Sequence, residues 1–374
     1  MSGQPIAEST TKKTAGVTDR PGILSCDPET LAAWLVERGY PRWYAGQIRR
    51  WIVEKRATDF GVMSDLPKVL RQTLSEHWSI FSMSIGQVQQ ARDGTRKLLL
   101  FCADGEQIEC VAIPEADRRT ACISTQVGCG MGCVFCASGL LGVARNLRSH
   151  EILEQLVLLR NILPIGERLT HIVVMGMGEP LANLPALLEA LEVACHPHGL
   201  GLSARHVTIS TVGLPDRIRQ LAQCGRPYHL AVSLHAPNDA LRTRIVPTNA
   251  RIGIGAIVAA ADEFYRLTGR QVTYEYVLLG GINDQLEQAQ QLAQLLQGRH
   301  AHVNLIPYNE VAGLPYRRPT QENLLAFVRY LRRAGISVKV RKRKGSEIDA
   351  ACGQLRRRQA VGAMPSADDP RTQT

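Results

Sequence analysis

From residue 27 onward, apolar positions recur at helical spacing. Asp27 and Pro28 suit a cap and a first turn, Leu31, Trp34 and Leu35 form an apolar stripe, and Gly39 ends it. Tyr44, Ile48, Trp51 and Ile52 make a second stripe, with Gln47, Arg49, Arg50 and Lys55 on the opposite face. A third helix is expected near Pro67, with Val69, Leu70 and Leu74 inward. The period then drops to two: residues 96–102, the dipeptide Asp104-Gly105 and residues 107–113 read as a β-hairpin with its turn. Glu109 lies in its second strand, where spacing alone makes it an outward carboxylate.

Beyond residue 120, strands and helices alternate. Strands are expected at 120–124, 171–175, 206–210, 229–233, 271–278, 302–306 and 337–341. Helices fall at 149–163 (capped by Ser149), 184–194, 216–224, 254–267, 286–296 and 321–334. Strict alternation calls for a parallel sheet with right-handed crossovers, long enough for most of a barrel. The fold class is therefore α/β, a partial (β/α) barrel with a small N-terminal helical domain and a β-hairpin extension.

Parallel α/β folds bind ligands beyond the C-terminal strand ends. Those ends carry Gly178-Glu179, Ser210, Ser233-Leu234-His235 and Asn309. Singly each is ordinary turn chemistry, but as a ring at one face they predict a ligand site. Glycine at 178 permits close backbone approach, and Glu179 is placed to accept from an ammonium group.

Cysteine usage sharpens the picture. Cys129, Cys133 and Cys136 share one short loop with Gly128, Gly130 and Gly132, and seven of the ten cysteines are scattered elsewhere. Structural zinc prefers four closed ligands, often in paired CxxC units, whereas a cubane iron–sulfur cluster held by three thiolates leaves one iron open. The spacing favours the open cluster over zinc or inert thiols. With no export signal, this cysteine usage predicts a reducing, cytoplasmic setting, and no apolar run is long enough to span a bilayer. Lys and Arg number 44 against 34 Asp and Glu, a net charge of +10. The excess crowds at Arg49, Arg50, Lys55 and Arg56, at 339–344 and at 356–358, which together suggest a nucleic-acid partner. The expected organisation is a disordered tail at 1–26, a helical accessory domain with an RNA-binding role at 27–90, a hairpin linker at 91–119, the barrel core at 120–359 and a flexible tail at 360–374.

The stretches 120–129, 176–180, 304–309 and 349–355 resemble the RlmN/Cfr family of radical-SAM RNA adenosine methyltransferases. The resemblance runs from about residue 27 to 359. It departs at Lys344-Gly345-Ser346-Glu347, where Arg-Gly and an Asp are more usual. It implies a [4Fe-4S] cluster on Cys129, Cys133 and Cys136, with S-adenosyl-L-methionine bound by Gly178, Glu179, Ser210, Ser233, Leu234, His235 and Asn309. It also implies a methyl-carrying Cys352, a partner thiol at Cys122 and a proton acceptor at Glu109. Without these neighbouring motifs, Cys122 and Cys352 would read as inert buried thiols.

Adenine C2 has no lone pair with which to attack a sulfonium methyl. The family's route implies a relay in which Cys352 is methylated, its methyl is converted to a carbon radical that adds to the base, and Cys122 releases the product by forming a disulfide with Cys352. The implied partners are 23S rRNA, tRNA and an electron donor such as flavodoxin or ferredoxin, acting on a monomer. Three alternatives stay open: C8 methylation of the resistance type, a non-catalytic RNA-binding protein stabilised by metal, and a radical-SAM enzyme acting on a small molecule.

Overall fold

The computed structural model describes residues 20–355. Its first helices are α1 (Pro28–Val36), α2 (Tyr44–Val53) and α3 (Lys68–His77). Asp27 caps α1, its Oδ1 accepting from the amides of Glu29 (3.1 Å) and Thr30 (2.9 Å). The module starts earlier than expected, because Ile23 and Leu24 are already buried. Leu70 and Leu74 point inward as their spacing requires, but Val69 is 68% exposed. In α3 the inward stripe is the i, i+4 pair alone, and Val69 lies off it.

The sheet begins with the strands β1 (Ser84–Gln90), β2 (Arg96–Phe101), β3 (Gln107–Glu115) and β4 (Arg118–Cys122). Strand β1 escapes notice in the sequence because it is a mostly polar, exposed edge strand. A two-stranded hairpin, β5 (Gln126–Gly128) with β6 (Val143–Asn146), brackets the cysteine loop. There follow α4 (Ser149–Asn161), β7 (His171–Val174), α5 (Leu184–Cys195), β8 (Val207–Thr211), α6 (Pro215–Gln223) and β9 (His229–Ser233). The chain continues through α7 (Asp239–Ile245), α8 (Asn249–Ile252), α9 (Ile254–Thr268), β10 (Val272–Leu278), α10 (Leu286–Leu296), β11 (Ala301–Pro307), α11 (Gln321–Arg333) and β12 (Ser337–Val340). The short helices α7 and α8 carry too few turns to show a period in the sequence. Ser149 is the first helical residue of α4 rather than its cap; Arg148 holds that position, and its amide donates to Glu151 Oε2 at 2.7 Å.

Strands β4, β7, β8, β9, β10, β11 and β12 are parallel neighbours in that order, and β1–β3 extend the β4 edge antiparallel. This is the partial barrel with a hairpin extension. One apolar core runs continuously from the helical module through the barrel. Helix α4 joins them with buried polar groups. Arg160 donates to the carbonyls of Ile52 (3.0 Å) and Val53, closing the C-terminus of α2. Glu154 accepts from the Ser82 and Met83 amides at 2.9 and 3.0 Å.

The first basic run is largely spent on such internal contacts. Arg49 donates to the Cys26 carbonyl, Arg50 pairs with Glu54, Lys55 lies over the Trp51 ring, and Arg56 donates to Leu163 and Glu167. The run therefore closes the module onto itself and onto the loop that follows α4. The run at 356–358 lies outside the described residues, as do most of the tails expected at 1–26 and 360–374.

Candidate active site

At the C-terminal ends of the parallel strands lies a cavity of about 140 Å³, lined by Cys129, Cys133, Cys136, Gly178, Glu179, Ser210, Ser233, His235, Asn309 and Cys352. The fold thus gathers residues spread over more than two hundred positions. Leu234 is instead fully buried and does not line the cavity, and its amide donates to the Glu275 carbonyl. Below lies a second, larger space of about 530 Å³ inside the barrel, which shares Met175, Glu275, Ile306, Asn309 and Cys352 with the first. Lys339, Arg341, Lys342, Arg343 and Lys344 line it, so the second basic run faces the lumen.

The cysteine loop is clamped on several sides. The Cys129 amide donates to Gly142 (2.9 Å), the Val134 amide to Ile245 (3.1 Å) and the Ala137 amide to Gly353 (2.8 Å). Gly128 has φ +78°, and a Cβ there would lie 2.0 Å from the Gly142 carbonyl oxygen, so only glycine lets the hairpin close. Burial pushes the Cys129 thiol up to about 12 and raises Cys133 and Cys136 as well. Binding to iron would supply the compensation that deprotonates them. Among the described residues no group of three or more His, Cys, Asp or Glu is drawn close enough to hold a single metal ion. Three thiols lining one cavity fit a cubane, whose ligands sit on separate irons.

Gly178 has φ +101°, and a Cβ there would lie 2.6 Å from the Gln126 side chain. The turn delivers Glu179, which is 2% exposed. Its Oε1 accepts from the Leu181 amide (3.0 Å) and its Oε2 from the Val212 amide (2.9 Å). The Thr211 side chain adds a further hydrogen bond to the same carboxylate. Burial nonetheless raises its pKa, against those bonds. His235 adopts φ +60°, which is strained for a non-glycine residue. Its Nδ1 accepts from the Val277 amide at 3.1 Å, and its ring meets Phe135 edge-on at 5.0 Å. Burial, then the charge of Arg242, lowers its pKa to about 3, so the imidazole is neutral at physiological pH.

The cysteine near the C-terminus is tied to this cavity. Asn309 Nδ2 donates to the Cys352 carbonyl at 3.2 Å, and Gly353 receives the Ala137 amide. Cys122 is buried on β4, one sheet position from Val173. Burial pushes its thiol up to about 12, with the neighbouring Cys352 adding to the rise. Arg341 acts to favour a Cys352 thiolate, but burial outweighs it and the pKa is raised. Both cysteines are free thiols in this structure.

Two residues of this site were not anticipated. Glu275 is buried on β10, within hydrogen-bond reach of Ser210 Oγ (3.3 Å) and Asn304 Nδ2 (3.4 Å). Arg341 Nη1 lies 3.5 Å from its Oε1. The signal was a lone carboxylate in an otherwise apolar strand, Val272–Leu278. Arg341 lies within the basic run at 339–344, where nothing in the sequence singles it out from its neighbours.

Glu109 reverses the expectation from spacing. It is 1% exposed and pairs with the equally buried Lys97, Nζ to Oε1 at 3.0 Å. Lys97 Nζ also lies 3.2 Å from the Asp349 carbonyl, in the loop that carries Cys352. The hairpin continues the β4 edge of the barrel sheet, and the face that carries Lys97 and Glu109 turns toward the Asp349 loop rather than outward. Glu109 lines neither cavity.

Residues 123–296 match the family model of the Radical SAM superfamily, a stretch that contains the three clustered thiols and the Gly178-Glu179 turn. The chain is a radical-SAM enzyme, of a class that works with a [4Fe-4S] cluster and S-adenosylmethionine. Residues 22–80 match the Ribosomal RNA large subunit methyltransferase N-terminal domain. The probable dual-specificity RNA methyltransferase RlmN of Rhodopirellula baltica is 53% identical over 357 residues, covering 96% of each chain. That of Thermosynechococcus vestitus is 44% identical over 339 residues, covering 91% of this chain and 99% of its own. A crystal structure of a radical SAM methyltransferase from Sphaerobacter thermophilus superposes with a TM-score of 0.86 at 41% identity, covering 90% of this chain and 99% of that one. The chain belongs to the RlmN family of radical-SAM RNA methyltransferases.

Proposed function

We propose that this enzyme methylates C2 of an adenosine in 23S rRNA and of an adenosine in tRNA, using Cys352 as a methyl carrier. The observation that carries the reading is the pinning of Cys352 between the three-cysteine cavity and the basic lumen, with Cys122 close behind. The names of the RlmN relatives, which describe dual-specificity RNA methyltransferases, support two RNA substrates.

Cys129, Cys133 and Cys136 would hold the cluster; Gly178, Glu179, Ser210, Ser233 and His235 would line the place of S-adenosylmethionine, and Leu234 is buried without lining it. Together the two cofactors supply an electrophilic methyl group and a carbon radical able to take hydrogen from an unactivated C–H bond. Cys352 sulfur accepts the methyl group, and Arg341 favours the thiolate that does so. After the carbon radical on Cys352 has joined C2, Glu109 takes the ring proton and the adduct's odd electron leaves to a one-electron acceptor of the flavodoxin or ferredoxin type. Lys97, the ion-pair partner of Glu109, also donates to the Asp349 carbonyl in the Cys352 loop. Cys122 then attacks the Cys352 sulfur, forming a disulfide and freeing the carbon with its electron pair, which a proton completes to a methyl group. The lumen residues Lys342, Arg343 and Lys344 engage phosphates of an RNA whose target base is unstacked. We place the enzyme in the cytoplasm as a monomer served by a one-electron donor of the flavodoxin or ferredoxin type. Among the described residues no helix is long and apolar enough to cross a membrane.

The test uses S-adenosylmethionine carrying a trideuterated methyl, with nucleoside mass spectrometry. The expected product is 2-methyladenosine retaining two deuteriums. Full retention of three sinks the relay, and a methyl at C8 corrects the position. In parallel, Cys122→Ala protein is expected to carry RNA covalently attached to Cys352.

A further inference from the structure

We infer that Arg242 provides the buried positive charge that sets the reduction potential of the iron–sulfur cluster. The inference rests on the assignment of Cys129, Cys133 and Cys136 as cluster ligands.

Arg242 is 1% exposed and ranks among the largest fully buried side chains. Its hydrogen bonds go to neutral acceptors: Nε to the Leu234 carbonyl (2.9 Å), Nη1 to Asn249 Oδ1 (2.7 Å), and Nη2 to the carbonyls of Val212 (2.5 Å) and Ser233 (3.0 Å). Among the described residues, no carboxylate lies within ion-pair distance of it. A guanidinium taken fully out of water without a paired anion carries a large desolvation cost. The geometry says what offsets it. Arg242 sits on α7, and the C-terminal carbonyl of that helix, at Ile245, receives the Val134 amide from inside the cysteine loop. Thr248, just beyond, donates to the Met131 carbonyl at 2.8 Å. Guanidinium and cysteine loop are thus one packed unit, with Leu241, Ile245 and Phe135 in the same apolar cluster.

Cys133, once deprotonated, would act most strongly on Arg242, followed by the carboxylates of Asp239 and Glu179. Burial lowers its pKa only to about 10, so it stays charged at neutral pH. The imidazole of His235 close by is neutral there and adds no competing charge. Three thiols that lose their protons to iron turn this region anionic, and reduction adds one more negative charge. A fixed cation in a low-dielectric surround stabilises the reduced state more than the oxidised one. Arginine suits the task because its planar fork can satisfy all these acceptors and remain charged.

The experiment is an EPR-monitored redox titration of anaerobically reconstituted full-length protein, with iron content measured in each sample. Arg242→Lys keeps the charge and is expected to titrate close to wild type. In Arg242→Gln the ratio of reduced to oxidised cluster at a fixed potential is expected to fall about ten-fold, a shift of about 59 mV to the negative for one electron. Asp239→Asn removes an anion near Arg242 but keeps an acceptor for the Ile254 amide, so its potential should move the opposite way. A fully loaded Arg242→Gln protein with the wild-type potential overturns the inference. If that variant fails to load or fold, Asp239→Asn decides, and an unchanged or more negative potential there overturns it. Wild-type protein that assembles no four-iron cluster would instead overturn the assignment of the three thiols.

Discussion

Arg341 shows how one side chain can serve both thiols. It stands within reach of Glu275, which the Ser210 hydroxyl also approaches, and its charge opposes the burial that raises Cys352 and Cys122. Arg341→Met should therefore slow alkylation of Cys352 by iodoacetamide at pH 8 by about ten-fold, the factor expected for a one-unit rise in thiol pKa. Peptide mapping of the apo-protein checks it, and an unchanged rate would mean the guanidinium is aimed elsewhere. His235 makes a second prediction. Its folded pKa, about 3, lies below the ordinary value of 6.5, so the unfolded chain binds a proton there first as pH falls. Its contribution is present above about pH 6.5 and is lost progressively as pH drops toward 3. His235→Asn, which tolerates the positive φ, should flatten the pH dependence of urea midpoints between pH 6.5 and 4.5. Equal slopes in the two proteins would refute the assignment.

Between elements, α4 holds the helical module to the barrel. Arg160 reaches across to the end of α2 while Glu154 collects the amides at Ser82 and Met83. These are polar contacts in a buried seam, so their geometry fixes how the module sits rather than how well apolar area is hidden. Arg160→Met leaves the α2 carbonyls unpaired and should destabilise the protein by about 2–3 kcal/mol, within the range for charged hydrogen bonds. Urea unfolding would register this as a lower midpoint. A lone early transition for the module would show in addition that it melts apart from the barrel. An unaltered midpoint would mean water replaces the guanidinium without cost.

For the molecule as a whole, the net charge of +10 is divided by the fold into structural and accessible parts. Arg49, Arg50, Lys55 and Arg56 are occupied within the module and at its seam, whereas Lys342, Arg343 and Lys344 line the lumen that leads to Cys352. Replacing the latter three with Gln should weaken RNA binding and reduce the slope of log affinity against log salt by roughly 2 to 3, or by about 2 if the RNA is single-stranded at the site. Filter binding across salt concentrations measures it. A slope equal to wild type would place the phosphate contacts on other residues.

Helix and strand periods, the Asp-Gly turn, the strand-end polar ring and the CxxxCxxC spacing were all legible along the chain, because each depends on neighbours a few residues apart. The same holds for the cap at Asp27. Long-range packing decided the rest. Whether Glu109 faces water depends on the hairpin joining the barrel sheet, and Lys97 meets it only once β2 and β3 pair. Arg341 leaves a basic run for the interior because β12 ends beside Glu275, and Val69 turns outward because α3 buries a narrow stripe. Local sequence specifies period and turn, but burial and charge environment are sums over residues that only the folded chain brings into contact.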